Sequence, residues 1–561
     1  MSLARTQRPS KKQLGQFLTP LPIARAIVSA LDIRLDDRVL EPSFGGGAFL
    51  LALRERMARC YPGADLARWA ERALDGCELD AEVFQAFVNA WGGTPPSGCV
   101  AGDFFRFKMP AYEVRRYFGE IQPEYDWVIG NPPFGGTIDP AIQDELDAIF
   151  GMRQGLKIKK ETYAFFIVKA LDLLKPGGRL VFICSDTLLS IATMKGLRQY
   201  LMETCRVEVE RLPGMFLETQ QPMILLKLTK GGRGVSIFGK PLESALIHAT
   251  PNKSWLVTPE YARFFTGVTV GDYLVATSGM TVGKNKLFLR EIHQGQLVEP
   301  YAFRIGRRPI TVATRLAQAR LGKLSAEQRR TIEAQERAGA EEPILEVEAL
   351  DEPLVLPFPN PDYLPYNKAT NQLFYAPPNC AIYWRNEGEA VYTFKQSGPW
   401  YLHGVGGKPY FKREGLTWQL ISSHLNVRYL PAGYILDSGA PCAFLRPGVP
   451  HDELFFIMGW CVTATCNAIL KRVLNHTRNI QSKDFERLPY PTWVKQQTRE
   501  QIVCRVKALI EEARSGKLFS YQSPELAWFE EAFALPWELP SKPLLRVQPC
   551  SSEQLQFDFG T

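Results

Sequence analysis

The run YDWVIGNPPF, residues 125–134, is apolar until it stops at four chemically distinct residues, Asn131, Pro132, Pro133 and Phe134. Neither prolyl nitrogen has a hydrogen to donate, and a residue before proline is driven into extended geometry, so Asn131 and Pro132 present carbonyls in fixed directions. The side-chain oxygen of Asn131 and the main-chain oxygen of Pro132 can together accept both hydrogens of an exocyclic amine. Phe134 offers a flat face for a planar substrate. Two such bonds draw the nitrogen toward tetrahedral geometry and localise its lone pair, which suits alkylation of an aromatic amine. No general base is required, because the proton becomes acidic once the new bond forms. The plain alternative is a turn, which Asn-Pro-Pro also favours, and the neighbouring segments weigh between the two.

Three acids stand at the ends of three earlier β-like runs. Arg38-Val39-Leu40-Glu41-Pro42-Ser43-Phe44-Gly45-Gly46-Gly47 reads as a strand and a glycine-rich turn leading into the helix FLLALRERMARC. Glycine lets backbone approach a ligand closely, so this forms a cradle at a helix N-terminus. Its spacing fits neither GxxxxGK[ST] nor GxGxxG, and Glu41 at the strand end disfavours a phosphate. A second strand, 73–80, carries Glu78 about where a βαβ unit places the carboxylate for ribose hydroxyls. A third, 99–105, carries Asp103 followed by Phe104. A single such carboxylate is usually a cap or a solvated group; three in succession, with NPPF on the fourth strand, form a constellation.

The elements that position them alternate. Thr19-Pro20 precedes Ile23, Ala26, Ile27 and Ala30 at helical spacing, with Thr19 read as a helix cap, a reading compatible with a loop that also touches a ligand. After NPPF comes a helix with one apolar face of Phe165, Val168, Leu171 and Leu174, halted by Pro176-Gly177-Gly178, then the strand 179–184. A helix around 188–202 and the closing strands RVEVERL and PMILLKLTK follow. Strand and helix alternating over 31–230 predict an α/β fold with a doubly wound, Rossmann-like sheet. Lys157, Lys159 and Lys160 are either a solvated loop or phosphate contacts.

Beyond about residue 235 short β-like runs dense in glycine, proline and aromatics replace the alternation. The expected domains are 1–235 for the sheet, 236–498 for a mixed α/β domain with a charged helical excursion over 307–351, and 499–561 for a helical cap and tail. The 561 residues, 45% hydrophobic and 22% charged with a formal net charge of +7, fit a globular enzyme and permit a polyanionic partner without demanding one. No apolar run approaches the roughly 20 residues of a membrane helix, and the basic, polar N-terminus has no hydrophobic segment behind it, so a cytoplasmic protein is expected. The 11 cysteines include no CxxC pair and no histidine cluster joins them, so no metal is expected.

Over about 14–230 these motifs, in this order, resemble the gamma class of adenine-N6 DNA methyltransferases. The resemblance implies S-adenosylmethionine as cofactor, with Thr19 and Pro20 covering its methionine end and the loop of Glu41, Pro42, Gly45 and Gly47 forming the floor. It implies Glu41 near the methionine moiety, Glu78 on the ribose, Asp103 on the adenine amine and Phe104 beside that ring, with NPPF as catalytic loop. Family members often carry tyrosine where Phe134 stands; the stacking face is kept. GMFLETQQPMILLKL is similar to the region lining the flipped base, which would give that role to Phe216. TVGKNKLF, GLTWQLISS and LNHTRNIQSKDFERLPYP are similar to segments of recognition domains in restriction-modification and phage-exclusion enzymes. Double-stranded DNA is thus the expected partner, with a cognate restriction endonuclease or defence-complex subunits beside it. Methylation of RNA guanine or protein glutamine, and a recognition subunit without turnover, stay open as alternatives. The motifs start so near the N-terminus that no preceding nuclease is expected.

Overall fold

The structure is a computed structural model and describes residues 18–106, 124–134, 140–212, 222–282, 285–298, 303–306, 346–349, 355–396 and 407–535. Two compact units emerge, residues 1–267 with 468–479, and residues 268–467 with 480–561.

The first unit is built on a nine-stranded sheet. Its strands are β1 (Val39–Glu41), β2 (Leu74–Glu78), β3 (Cys99–Ala101), β4 (Tyr125–Gly130), β5 (Leu174–Ser185), β6 (Cys205–Arg211), β7 (Met223–Lys230), β8 (Val235–Ile237) and β9 (Lys240–Leu242). They lie in the order 9-8-6-7-5-4-1-2-3. Strands β3, β2, β1, β4 and β5 run parallel, and β7 is inserted antiparallel between β5 and β6. The order reverses between β1 and β4, and the crevice outside the carboxyl ends of two such strands is where open α/β sheets bind ligands. The sequence boundary near 235 falls inside this sheet, because β8 pairs with β6 and extends the unit.

Four helices bear on the site: α1 (Leu21–Ser29), α2 (Ala48–Cys60), α3 (Ala81–Trp91) and α4 (Thr162–Leu173). Val39, Leu50, Leu53, Leu74, Phe87, Ile129 and Ile183 share one core cluster. Asp80 caps α3, accepting from the Glu82 amide at 2.9 Å. Helix α4 departs from expectation. Every residue from Thr162 to Leu171 is buried, and Leu173 too, rather than one face alone. A helix apolar almost all round belongs inside, and each fully buried Phe, Leu or Val there contributes about 1.5–3 kcal/mol. It ends at Leu173, and Pro176-Gly177-Gly178 lies within β5 rather than in a loop before it.

The second unit is mixed α and β. Leu274–Thr277, Cys442–Leu445, Gly415–Thr417 and Arg428–Leu430 make an antiparallel four-stranded sheet, and a six-stranded sheet accompanies it. Helix Gln496–Arg514 buries Ile502, Val503, Val506, Leu509 and Ile510 and belongs to this unit instead of forming a separate cap. Trp418 of GLTWQLISS is fully buried, stacked on Phe485 at 4.3 Å with its indole N–H on the Ile480 carbonyl. Of the charged excursion only Glu346–Ala349 is described, and it is a strand paired with Phe303–Gly306, not a helix. Among the described residues no single helix is long and apolar enough to cross a membrane.

Gly47 precedes α2 at φ +78°, and a Cβ there would lie 2.1 Å from the Phe87 ring. Gly47→Ala is expected to cost about 2–4 kcal/mol from left-handed strain and overpacking together, read by urea denaturation; a loss under about 0.5 kcal/mol, the size of an ordinary surface change, would contradict this placement.

Candidate active site

Four motifs meet at the carboxyl edge of the sheet through one chain of hydrogen bonds. β1 ends in Glu41 and turns through Pro42 to Gly47, a turn closed by the Gly47 amide on the Phe44 carbonyl at 2.8 Å and the Phe44 amide on Cys77 at 3.1 Å. Beside it β4 ends at Gly130, and Asn131 follows. The Asn131 side-chain amide donates to Thr19 Oγ1 at 3.2 Å, and its main-chain carbonyl accepts from Ser43 Oγ at 3.2 Å. The first bond fixes the rotation of the Asn131 amide, with Oδ1 as its acceptor end. Thr19 is therefore a loop residue at the site and not the helix cap, since Pro20 occupies the capping position of α1 and offers no side-chain bond. Leu18 lies over the glycine turn: its Cδ2 is 2.8 Å from where a Cβ on Gly45 would stand.

Glu78 extends the chain. One carboxylate oxygen accepts from the Gly45 amide at 2.8 Å and the other from the Asp80 amide at 2.8 Å, while its carbonyl accepts from Gly102 at 2.8 Å. Asp103 comes next and closes its own turn by accepting from the Phe105 amide at 2.9 Å. Phe104 is buried, its ring 4.8 Å from Phe166. Pro132 and Phe134 are buried and Pro133 partly so. Phe216 lies outside the described residues. Lys159 pairs with Glu161 at 2.6 Å and Lys160 with Asp147 at 3.0 Å, which favours the solvated-loop reading of that cluster; Lys157 is exposed.

Glu41 is 2% exposed. Burial pushes its carboxyl well above the usual carboxylate range, the nearby Glu78 charge adds to this, and the Leu50 amide opposes it. Its Oε2 is buried without a hydrogen-bond partner among the described residues. Gly46, in the turn that follows, has no atom within 4 Å of a Cβ position, so the turn is open there. A buried acceptor lacking a donor fits a ligand that brings an ammonium group.

A residue that spacing did not reveal also reaches this edge. His476, from the segment 468–479 that rejoins the first unit, places Nδ1 2.7 Å from Ser190 Oγ and Nε2 3.0 Å from Asp186, just past the end of β5. Asn252 donates to the Leu474 carbonyl at 3.0 Å. Only the packed fold brings residues nearly 290 positions apart together.

For the cofactor-free protein, a carboxyl raised on folding holds its proton more tightly in the native state. Its contribution to stability falls as pH rises from the ordinary value of 4.5 toward the raised one. Glu41→Gln removes that slope. The stability difference between Glu41→Gln and wild type is expected to move in favour of glutamine between pH 4.5 and pH 8, measured by denaturant titration; a difference independent of pH would contradict burial of Glu41.

Residues 102–210, from the turn before Asp103 through NPPF to β6, match the family model described as the Eco57I restriction-modification methylase. The type II methyltransferase M.TthHB8I of Thermus thermophilus is 28% identical over 270 residues, 46% of this chain and 55% of that protein. The type II methyltransferase M.HincII of Haemophilus influenzae is 27% identical over 197 residues, 34% of this chain and 32% of that one. The chain thus spans about half or less of the length of these curated relatives. Among solved structures, the type IIL restriction-modification enzyme MmeI in complex with DNA superposes with a TM-score of 0.51 at 11% identity, covering 94% of this chain and 76% of that one. A nuclease-deletion mutant of the type ISP enzyme LlaGI gives 0.52 at 12% identity, covering 88% and 54%. Both likenesses are of fold. Residues 102–210 are thus similar to restriction-modification methylases of the Eco57I type.

Proposed function

We propose that the chain is a site-specific DNA methyltransferase of the gamma class, acting on the N6 amine of a flipped-out adenine in duplex DNA within a restriction-modification or phage-defence system. The observation that carries this reading is the bonded path from Thr19 through Asn131 to Ser43, which ties the NPPF loop to the glycine turn at the switch point of the sheet. The methylase match over 102–210 supports it, as does the likeness in fold to two restriction-modification enzymes solved with DNA or a DNA mimic.

S-adenosylmethionine, when bound, supplies a methyl group on a positively charged sulfur. Glu41 takes the ammonium of its methionine part, Pro42, Gly45 and Gly47 shape the floor, and Thr19 with Pro20 covers that end. Glu78 takes the ribose hydroxyls, and Asp103 the adenine amine with Phe104 beside it. A base stacked in a duplex is out of reach, so the target is flipped out at a cost of a few kcal/mol, and stacking on Phe134 offsets about 1–3 kcal/mol of it. Asn131 and the Pro132 carbonyl then accept both amine hydrogens and aim the lone pair. The second unit reads the flanking sequence, and a cognate restriction endonuclease or defence subunits are the further partners.

Duplex DNA, ribosomal RNA and release-factor protein, each offered with labelled methyl donor, separate the readings: label in DNA is expected, and label only in RNA or protein would replace this function. Asn131→Ala is expected to lower transfer by about 10²–10³ or more, the scale of losing one oriented catalytic group, with cofactor affinity kept. Asp103→Ala is expected to weaken cofactor binding about tenfold, or ~1.4 kcal/mol, by calorimetry; unchanged affinity would remove Asp103 from the cofactor site.

A further inference from the structure

Lys169, on α4, is fully buried. Its ammonium donates to the main-chain carbonyls of Phe104 and, at 3.2 Å, Phe105. It also stands 4.6 Å from the Phe104 ring centre, a cation over an aromatic face. Phe166, one turn earlier on the same helix, packs against both rings, 4.8 Å from Phe104 and edge-on to Phe105 at 4.9 Å. Helix α4 therefore grips the turn after Asp103 by an aromatic cluster and by a charge.

The aromatic cluster alone would seal this space. A buried ammonium is costly to desolvate, and an apolar side chain of similar volume is often as stabilising or more so. Burial pulls the amine of Lys169 down to about 7, with Cys77, Asp103 and Asp172 working the other way. What lysine supplies and methionine lacks is direction: two bonds that fix the Phe104 and Phe105 carbonyls. The Phe105 amide in turn donates to Asp103, and Gly102 donates to the Glu78 carbonyl, so the orientation of the Asp103 carboxylate depends on this turn.

Resting on the cofactor reading above, we propose that Lys169 is a positioning residue for S-adenosylmethionine, holding the 103–105 turn so that Asp103 stays presented beside Glu78. The same two bonds join the cofactor turn to the helix that leads directly into β5, the neighbour of β4 in the sheet.

Calorimetry with S-adenosylmethionine on wild type, Lys169→Met and Val168→Ala, with melting temperatures and hydrogen exchange of residues 103–106 in the cofactor-free chains, tests this. Lys169→Met is expected to bind about tenfold more weakly, to melt no lower than wild type, and to exchange faster at 103–106. Val168→Ala, fully buried on the same helix, is expected to melt lower while its affinity stays within about twofold, a change too small to signal a lost interaction. Wild-type affinity in Lys169→Met, affinity loss in both variants in step with melting temperature, or failure of Lys169→Met to fold would each overturn the assignment. Wild type that binds no S-adenosylmethionine would instead overturn the cofactor reading on which it rests.

Discussion

Strand β4 can deliver its loop to the site because it ends in a residue without a side chain. Gly130 sits at φ +151°, a backbone setting that other residues rarely adopt, and a Cβ there would approach Glu41 Cγ to 3.3 Å. Asn131 follows directly, at the point where the strand order reverses, and the two prolines restrict the backbone after it. The Thr19 and Ser43 bonds hold what the backbone has already aimed.

Around this strand end the site is assembled from buried polar groups rather than from surface charges. Burial holds the Glu41 carboxyl toward its neutral form and pulls the Lys169 amine down toward neutrality. Strongly perturbed groups of this kind cluster where a ligand is to be met, because a ligand's own charge can then settle them. Glu78 steadies the rest: each of its carboxylate oxygens accepts from one main-chain amide, which ties β2 to the glycine turn of β1 and leaves acceptor capacity over.

Much of the first unit could be read from residue order. The strand–helix alternation, the glycine turn and the acids at strand ends are local patterns, and the packed sheet keeps them. What could not be read depends on contacts between distant segments. Thr19 looks like a cap because Thr-Pro often opens a helix, yet Pro20 takes that position and frees the hydroxyl for Asn131. Asp80 and Glu78 are two similar acids in sequence, and only the fold shows one capping α3 and the other bracing the turn. Helix α4 has the spacing of a half-buried helix, but it is covered on its other side as well, so Lys169 passes for a solvent-facing residue until packing reveals it. His476 carries no signature at all, since its partners Ser190 and Asp186 are fixed by the return of 468–479 to the first unit.

The most direct measurement of the central claim, that an oriented Asn131 and Pro132 pair grips an extruded adenine, is to express the chain in a host lacking adenine methylation and read that host's DNA by a sequencing method that reports modified bases. The expected result is N6-methyladenine confined to one short sequence. Genomic DNA in which every adenine is unmodified, or in which the methyl lies on another base, would contradict it.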